Sequence, residues 1–391
     1  MTDTINASRS KRIKSLDVLR GAAIIGVITV HILFGAGREV AGMSEFNYVE
    51  LLYAGLPMFM VITGYLHKSG KDYVWNVKHR VIPLLVALVV STIILTSIMF
   101  IYMSLIGYDL SEYNLVKDIA QIIIGKGCFT VIGSEGYSAG FIISPYDISA
   151  GFYYLQILTV GLLIFYAIVD HVSDDWRLGL IAIFSLVCLT WLYLTTINIQ
   201  LPFSAQLGPM VAAFLLIGHI LSKHNVAEFI ENGYHERKYW LIFFSMLAIG
   251  LVFIAFFPSG MTMYNTKFGE NGAWSVFTFP ILAMSCGMVL WYIAFFLTKV
   301  PVVSDFFIFA GMNSIVLFSQ HMFVAKLMTA PFFDIGTEYW ITVDSAYVRF
   351  TILLSTIALI FMYVHFMKDA SDSLDENNLD EPYILNLEDE R

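Results

Sequence analysis

Charge is what this sequence has least of. Asp, Glu, Lys and Arg make up 14% of its 391 residues, where an ordinary soluble domain carries about 25%. With 58% hydrophobic residues and a mean hydropathy of +0.73, that deficit excludes a soluble globular enzyme and a disordered chain. It fits a chain that uses the bilayer as its solvent, with room for roughly a dozen spans and no sizeable extra domain. Cysteine is also scarce. Cys128, Cys188 and Cys286 have neither metal-ligand nor redox spacing, which excludes a disulfide scaffold, and they read as small packing residues. No His-x-Glu or Cys-x-x-Cys pattern points to a metal, and no nucleic-acid partner is expected. No small-residue cleavage site closes the first apolar run, so it is expected to be retained as a span. Internal repeats and inverted pairs of broken helices, the usual transporter signature, are not evident. The net charge of −9 is concentrated at one place: residues 368–391 hold nine acidic and two basic residues, a balance of −7, which leaves −2 for the rest. That excess reads as a solvated tail.

What is present is a series of apolar runs, approximately 16–36, 48–66, 81–106, 150–169, 178–198, 206–222, 239–257, 273–298, 306–328 and 347–367. Runs of this length match a hydrocarbon core of about 30 Å. They lack the ten-residue alternation of a barrel, so the expected fold is an all-α polytopic membrane protein with about ten transmembrane helices. The expected division is a basic cytoplasmic N-terminus (1–15), a transmembrane domain (16–367) and an acidic cytoplasmic tail (368–391). With both termini cytoplasmic, sixteen of the twenty-two Lys and Arg residues fall on the inner side, among them Arg9, Lys14, Arg20, Lys78, Arg80 and Lys223. Only Arg38, Lys117, Lys126, Lys267, Lys326 and Arg349 fall toward the outer side, which satisfies the positive-inside rule. Within the long outer connection 107–149, the moderately apolar piece 115–132 reads as a re-entrant or interfacial helix.

The first span carries three ionisable groups: Asp17, Arg20 and His31. Such groups in an apolar helix are costly and usually functional. Arg20 and His31 are eleven residues apart, about 20° net around the axis and about 16 Å along it, so they share a face. Asp17 lies about one turn before Arg20, and Gly21 and Gly26 admit close helix neighbours. An arginine suits a phosphate or carboxylate, and a neutral histidine beyond it suits a general base for a hydroxyl. A snorkelling Arg20 with a hydrogen-bonded His31 is the structural alternative. Lys78 and Arg80 are expected at the N-terminus of the third span, where anions bind. Asn313, Ser314, Gln320 and His321 fall within one apolar run, and Asn313 and His321, about 80° apart on one helix, would border the same cavity. Glu50 in the second run is a candidate because an unpaired carboxylate there is costly. His67, His79, His171, His219, His224, His235 and His365 sit mostly at predicted span ends and read as interfacial.

The stretch KSLDVLRGAAIIGVITVH, with Arg20 and His31 separated by ten residues, resembles the opening motif of the acyltransferase-3 family of integral membrane O-acyltransferases. LPMFMVITGYL is similar to that family's second span ending in Ser-Gly-Tyr, with Thr63 in the serine place. VKHRVIPLL resembles its basic segment before the third span, with Lys78 in place of an arginine. SAGFYYLQILTV resembles its Trp-Tyr-Leu segment, with Phe152 in the tryptophan place. FAGMNSIVLFSQHMFV resembles a late segment in which Phe318 takes a tyrosine place and His321 follows. The blocks occur in order from residue 15 to about 325.

The resemblance implies transfer of an acyl group, commonly acetyl, from cytoplasmic acyl-CoA, the donor substrate, to a hydroxyl of an extracytoplasmic glycan at the cell membrane. No permanently bound cofactor is implied. Arg20 and His31 match the family's essential pair, Lys78 and Arg80 fall where it often has two arginines, and Arg20, Lys78 and Arg80 together are expected to hold the acyl-CoA phosphates at the cytoplasmic face. Two mechanisms stay open, with His31 as general base or as transient acyl carrier. A solute transporter or exporter with a buried Arg–His pathway is the alternative function.

Overall fold

The computed structural model describes residues 13–29, 31–32, 55–111, 114–125, 152–172, 175–197, 199–256, 272–329 and 346–377. Among them the chain is helical and contains no β-strand. The helices are α1 (Lys14–Thr29), α2 (Gly55–Tyr65), α3 (Tyr73–Leu105), α4 (Leu115–Ile124), α5 (Tyr153–Val172), α6 (Trp176–Thr196), α7 (Gly208–Lys223), α8 (Val226–Asn232), α9 (Arg237–Phe256), α10 (Ser275–Leu297), α11 (Pro301–Met312), α12 (Ser314–Thr329) and α13 (Ala346–Asn377). Among the described residues each expected apolar run overlaps a helix or, for 306–328, a bent pair, and the count of ten spans is not thereby fixed. Among the described residues seven helices are long and apolar enough to cross a membrane, and α11 with α12 supplies an eighth if the pair forms one span. α1 and α2 are described over 16 and 11 residues, and their apolar runs continue into residues outside the described set. Glu50, Arg38 and Cys128 also lie outside it.

Burial inverts the soluble pattern. In the span Pro202–Lys223, which contains α7, 72% of the apolar stretch is buried, against 11% in α9. Thus α7 is central, packed by α2, α5 and α6, while α3, α6 and α9 turn Val90, Ile94, Ile101, Phe184, Leu192, Phe244 and Leu251 outward. Exposed aliphatic stripes of this kind belong against lipid.

Glycines set the closest crossings. A Cβ on Gly21 of α1 would collide with the backbone carbonyl of Phe307 in α11, and one on Gly311 would meet the carbonyl of Asp17 in return. On the other side of the bundle, Gly64 of α2 abuts the carbonyl of Leu215 in α7, and Gly218 abuts that of Val61. These are small-residue crossings of the kind that hold membrane helices together.

Three local expectations are modified. First, α3 starts at Tyr73, because the Asp72 side chain accepts the Trp75 backbone N–H (3.1 Å) and caps the helix there. Lys78 and Arg80 therefore sit within a continuous helix, in a π-helical turn Val77–Val81, and not at a helix N-terminus. Their backbone N–H groups are past the unsatisfied first turn, so only their side chains are available to an anion. Second, the run 306–328 is not one straight helix. α11 ends at Asn313, whose side-chain amide donates to the Phe309 carbonyl at 2.8 Å, and α12 leaves at 83°. The wheel arithmetic relating Asn313 to His321 does not carry across that bend. Third, of the expected piece 115–132, α4 covers Leu115–Ile124 and ends at Gly125, whose φ of 111° suits glycine, and residues 126–132 lie outside the described set. The Gln156 side chain of α5 donates to the carbonyls of Ile122 and Ile123 and pins that end down.

Candidate active site

One end of the bundle collects the cations. Here α1, α3, α6 and α9 begin and α2, α5, α7 and α10 end. The Ser15 hydroxyl donates to Glu231 (3.0 Å), the Trp291 indole donates to Ser15 (3.4 Å), and the Ala227 N–H donates to the Tyr65 hydroxyl (3.2 Å). Lys14, Lys68, Lys71, Lys78, Arg80, Arg177, Lys223, Arg237, Lys238 and Lys299 belong to helix ends and turns on this side. Lys117, Lys326 and Arg349 belong to the other. Among these, Lys326 and Arg349 are buried.

Deeper in the bundle lies a cluster drawn from α1, α5, α12 and the residues just after α1. The His31 and His321 rings approach to 5.2 Å between centroids, tilted by 39°. His321 is fully buried, and its Nδ1–H donates to the Phe318 carbonyl at 2.7 Å. In the neutral ring that bond leaves Nε2 as a lone-pair acceptor. Nε2 has no hydrogen-bond partner among the described residues. Phe318 packs edge-on to His321 (5.8 Å) and against Tyr154 (4.9 Å). Tyr154, buried in α5, is in electrostatic range of Arg20. Arg20 itself is half-buried, on α1 where that helix meets Gly311 of α11. The Tyr154 ring packs on Phe318 and Phe318 on His321, while the charge of Arg20 reaches Tyr154.

Arg80 lies elsewhere. Its guanidinium lies close enough to act on the Tyr166 hydroxyl. Tyr166 is twelve residues after Tyr154 on α5, about 18 Å along the axis. The two arginines engage α5 at these two levels and do not form one dock. Lys78 is exposed, whereas Arg80 is half-buried. Beside Arg80 sits a second imidazole pair: His67, just after α2, and His219 of α7, 5.4 Å apart. Phe165 and Tyr166 pack on His67 at 5.1 and 5.5 Å. Burial, His219 and then Arg80 push the His67 imidazole down to about 4. Lys223 and Asp170 also act on His219.

Of the residues that the sequence nominates, His31 and His321 come together, and the charge of Arg20 reaches Tyr154. Ser314 is buried at the start of α12, Asn313 forms the bend, and Asp17 lies half-buried in the first turn of α1. Tyr154, Phe318, Tyr166, His67 and His219 surround the nominated residues, and the sequence reading gives none of them a place in the site. Tyr154 and Phe318 stand inside quoted motifs, and the Gly-x-Asn at 311–313 is a helix-stop signal from which the bend is readable.

The acyltransferase-domain model of the acyltransferase-3 family matches residues 13–367. Comparison with curated proteins and with solved structures gives no match. The match covers α1 through the membrane portion of α13, including both imidazole pairs and both arginines. The chain therefore belongs to the acyltransferase-3 family and is a multi-pass membrane acyltransferase, not the solute exporter that a buried Arg–His line alone would also allow.

Proposed function

We propose that the chain is a cell-membrane O-acyltransferase moving an acyl group, acetyl in the first instance, from cytoplasmic acyl-CoA to a hydroxyl of an extracytoplasmic surface glycan. The observation that carries this reading is the 5.2 Å approach of His31 to His321, with Phe318 packed on Tyr154 and the charge of Arg20 reaching Tyr154. The basic end of the bundle is cytoplasmic in this reading, in keeping with the positive-inside rule. Both termini then lie inside, flanking the acyltransferase domain with the basic residues 1–15 and the acidic tail 368–391.

Coenzyme A carries a diphosphate and a ribose phosphate. Arg80 supplies the planar fork for a phosphate, and exposed Lys78 adds a point charge. The thioester end of the arm, roughly 15–20 Å away by extended-chain reach, falls at the Tyr154 level. There His31, as general base, takes the proton of the acceptor hydroxyl while its oxygen attacks the thioester carbonyl. The C–S bond breaks as the C–O bond forms, and the proton passes to the departing thiolate. Arg20 stabilises the negative charge that develops on the carbonyl oxygen. Acyl transfer through His31 itself uses the same arrangement in two steps.

The test is direct. Purified chain in nanodiscs, given radiolabelled acetyl-CoA and the surface glycan, should produce O-acetyl ester, and its His31→Gln variant should not. Glycan labelled equally by both proteins would refute the assignment.

A further inference from the structure

The His67–His219 pair is not used by the chemistry above, and its surroundings are unusual. Both rings are more than nine-tenths buried: 6% and 3% exposed. Both nitrogens of His219 and the Nδ1 of His67 lack a hydrogen-bond partner among the described residues. Buried polar atoms are normally paired, and several orphans on two facing rings mark a place that a polar ligand completes. A charged ligand would suit cations better. The imidazoles lie beside Arg80, which already acts on the Tyr166 hydroxyl, and burial favours a neutral imidazole. A neutral imidazole offers one donor and one acceptor. The complementary ligand groups carry both as well, and the secondary amide is the prime case.

We propose that His67 and His219 form a polar clasp for the amide-bearing arm of the acyl donor, gripping it between the phosphates at Arg80 and the reacting end at His31. The proposal rests on the donor reading above and adds to it the means by which a polar chain enters an apolar bundle. A pantetheine arm has two amides and a hydroxyl, each needing a partner once out of water. The clasp lies next to Tyr166 on α5, about 18 Å from Tyr154, so the arm meets it first and the catalytic cluster last. His67 and His219 are positioning residues in this scheme and do not touch the reacting atoms.

The experiment measures binding of coenzyme A, and separately of adenosine 3′,5′-bisphosphate, to the purified full chain in nanodiscs by calorimetry. His67→Phe and His219→Phe keep a ring but lose the nitrogens. Each should weaken coenzyme A about tenfold, the loss of one hydrogen bond, and leave the bisphosphate unchanged. His219→Gln, which restores a donor and an acceptor, should recover most of that affinity. Arg80→Gln should weaken both ligands. Parental coenzyme A affinity in both Phe variants overturns the clasp and leaves the donor reading standing. Loss of both ligands in the Phe variants, without rescue by Gln, makes the pair structural and also overturns it. Failure of the folded parental chain to bind coenzyme A removes the donor reading and the clasp together.

Discussion

The molecule holds two imidazole pairs of nearly the same geometry, His31–His321 at 5.2 Å and His67–His219 at 5.4 Å. Their settings differ. The first joins α12 to the residues just after α1, faces Phe318 and Tyr154, and has one ring fixed by a carbonyl. The second stands at the basic end beside Arg80, Lys223 and Asp170, with no hydrogen-bond partner for three of its nitrogens among the described residues. A fixed tautomer with an unpartnered acceptor nitrogen suits proton transfer. A pair of unengaged nitrogens serves recognition. Proximity of two histidines is thus a poor guide to role, and the groups around them decide it.

The comparison breaks most sharply at His31. Its change to Gln keeps a hydrogen-bonding side chain but removes the base, and general-base contributions run to about 100- to 10,000-fold. Transfer should fall by that much with coenzyme A affinity intact. A comparable loss from His219→Gln would erase the distinction between the pairs. The partner His321 comes next: His321→Phe should lower kcat by about tenfold or more with little change in the KM for acetyl-CoA, whereas a KM effect would move it into the recognition pair.

The arginines sharpen the same contrast. Arg20→Lys should keep part of the activity and act through kcat, because the charge remains but the fork is lost. Arg80→Lys should act through the KM for acetyl-CoA. Steady-state kinetics on the two variants would show equal splits if both arginines served one phosphate dock.

The smallest effect is on stability against pH. His67 is held at about 4 in the folded chain against an ordinary 6.5. Between those values the unfolded chain binds the proton and the folded chain does not, so stability is full above about 6.5 and declines as pH falls toward 4. The groups facing His67 are His219, Arg80 and Tyr166. Thermal unfolding in detergent from about pH 7.5 to about pH 4.5 should show a shallower decline for His67→Phe than for the parental chain.

Much of this is legible in the chain. The all-helical membrane architecture follows from apolar run lengths, and Gly21 announces the α1 crossing found against Phe307. A helical wheel puts Arg20 and His31 on one face, but α1 is described only to Thr29 and His31 follows in a π-helical turn, where that wheel does not carry. It has no means of bringing His321 to His31, because that contact depends on how α12 leaves the bend at Asn313. His67 and His219 read as span-end residues because burial at a helix end comes from neighbours. Here those neighbours are Phe165 and Tyr166, about a hundred residues from His67. The start of α3 is readable from Asp72, a capping residue three positions before Trp75, but the apolar run beginning at Val81 conceals it.

The glycine crossings bear on how this bundle can move. At Gly21–Phe307 and Gly64–Leu215 the helices touch backbone to backbone. A one-turn slide is about 5.4 Å, and it would bring a side chain where a hydrogen atom now sits. Packed interfaces of this kind resist continuous shear. Rocking one half of the bundle against the other, the gait of alternating-access carriers, would have to part these seams. In the reaction proposed above, such a scaffold would stand still while the two substrates thread toward each other from opposite faces. In such a device the permeability barrier is kept by the occupants themselves, the donor arm plugging one half-channel as the acceptor fills the other.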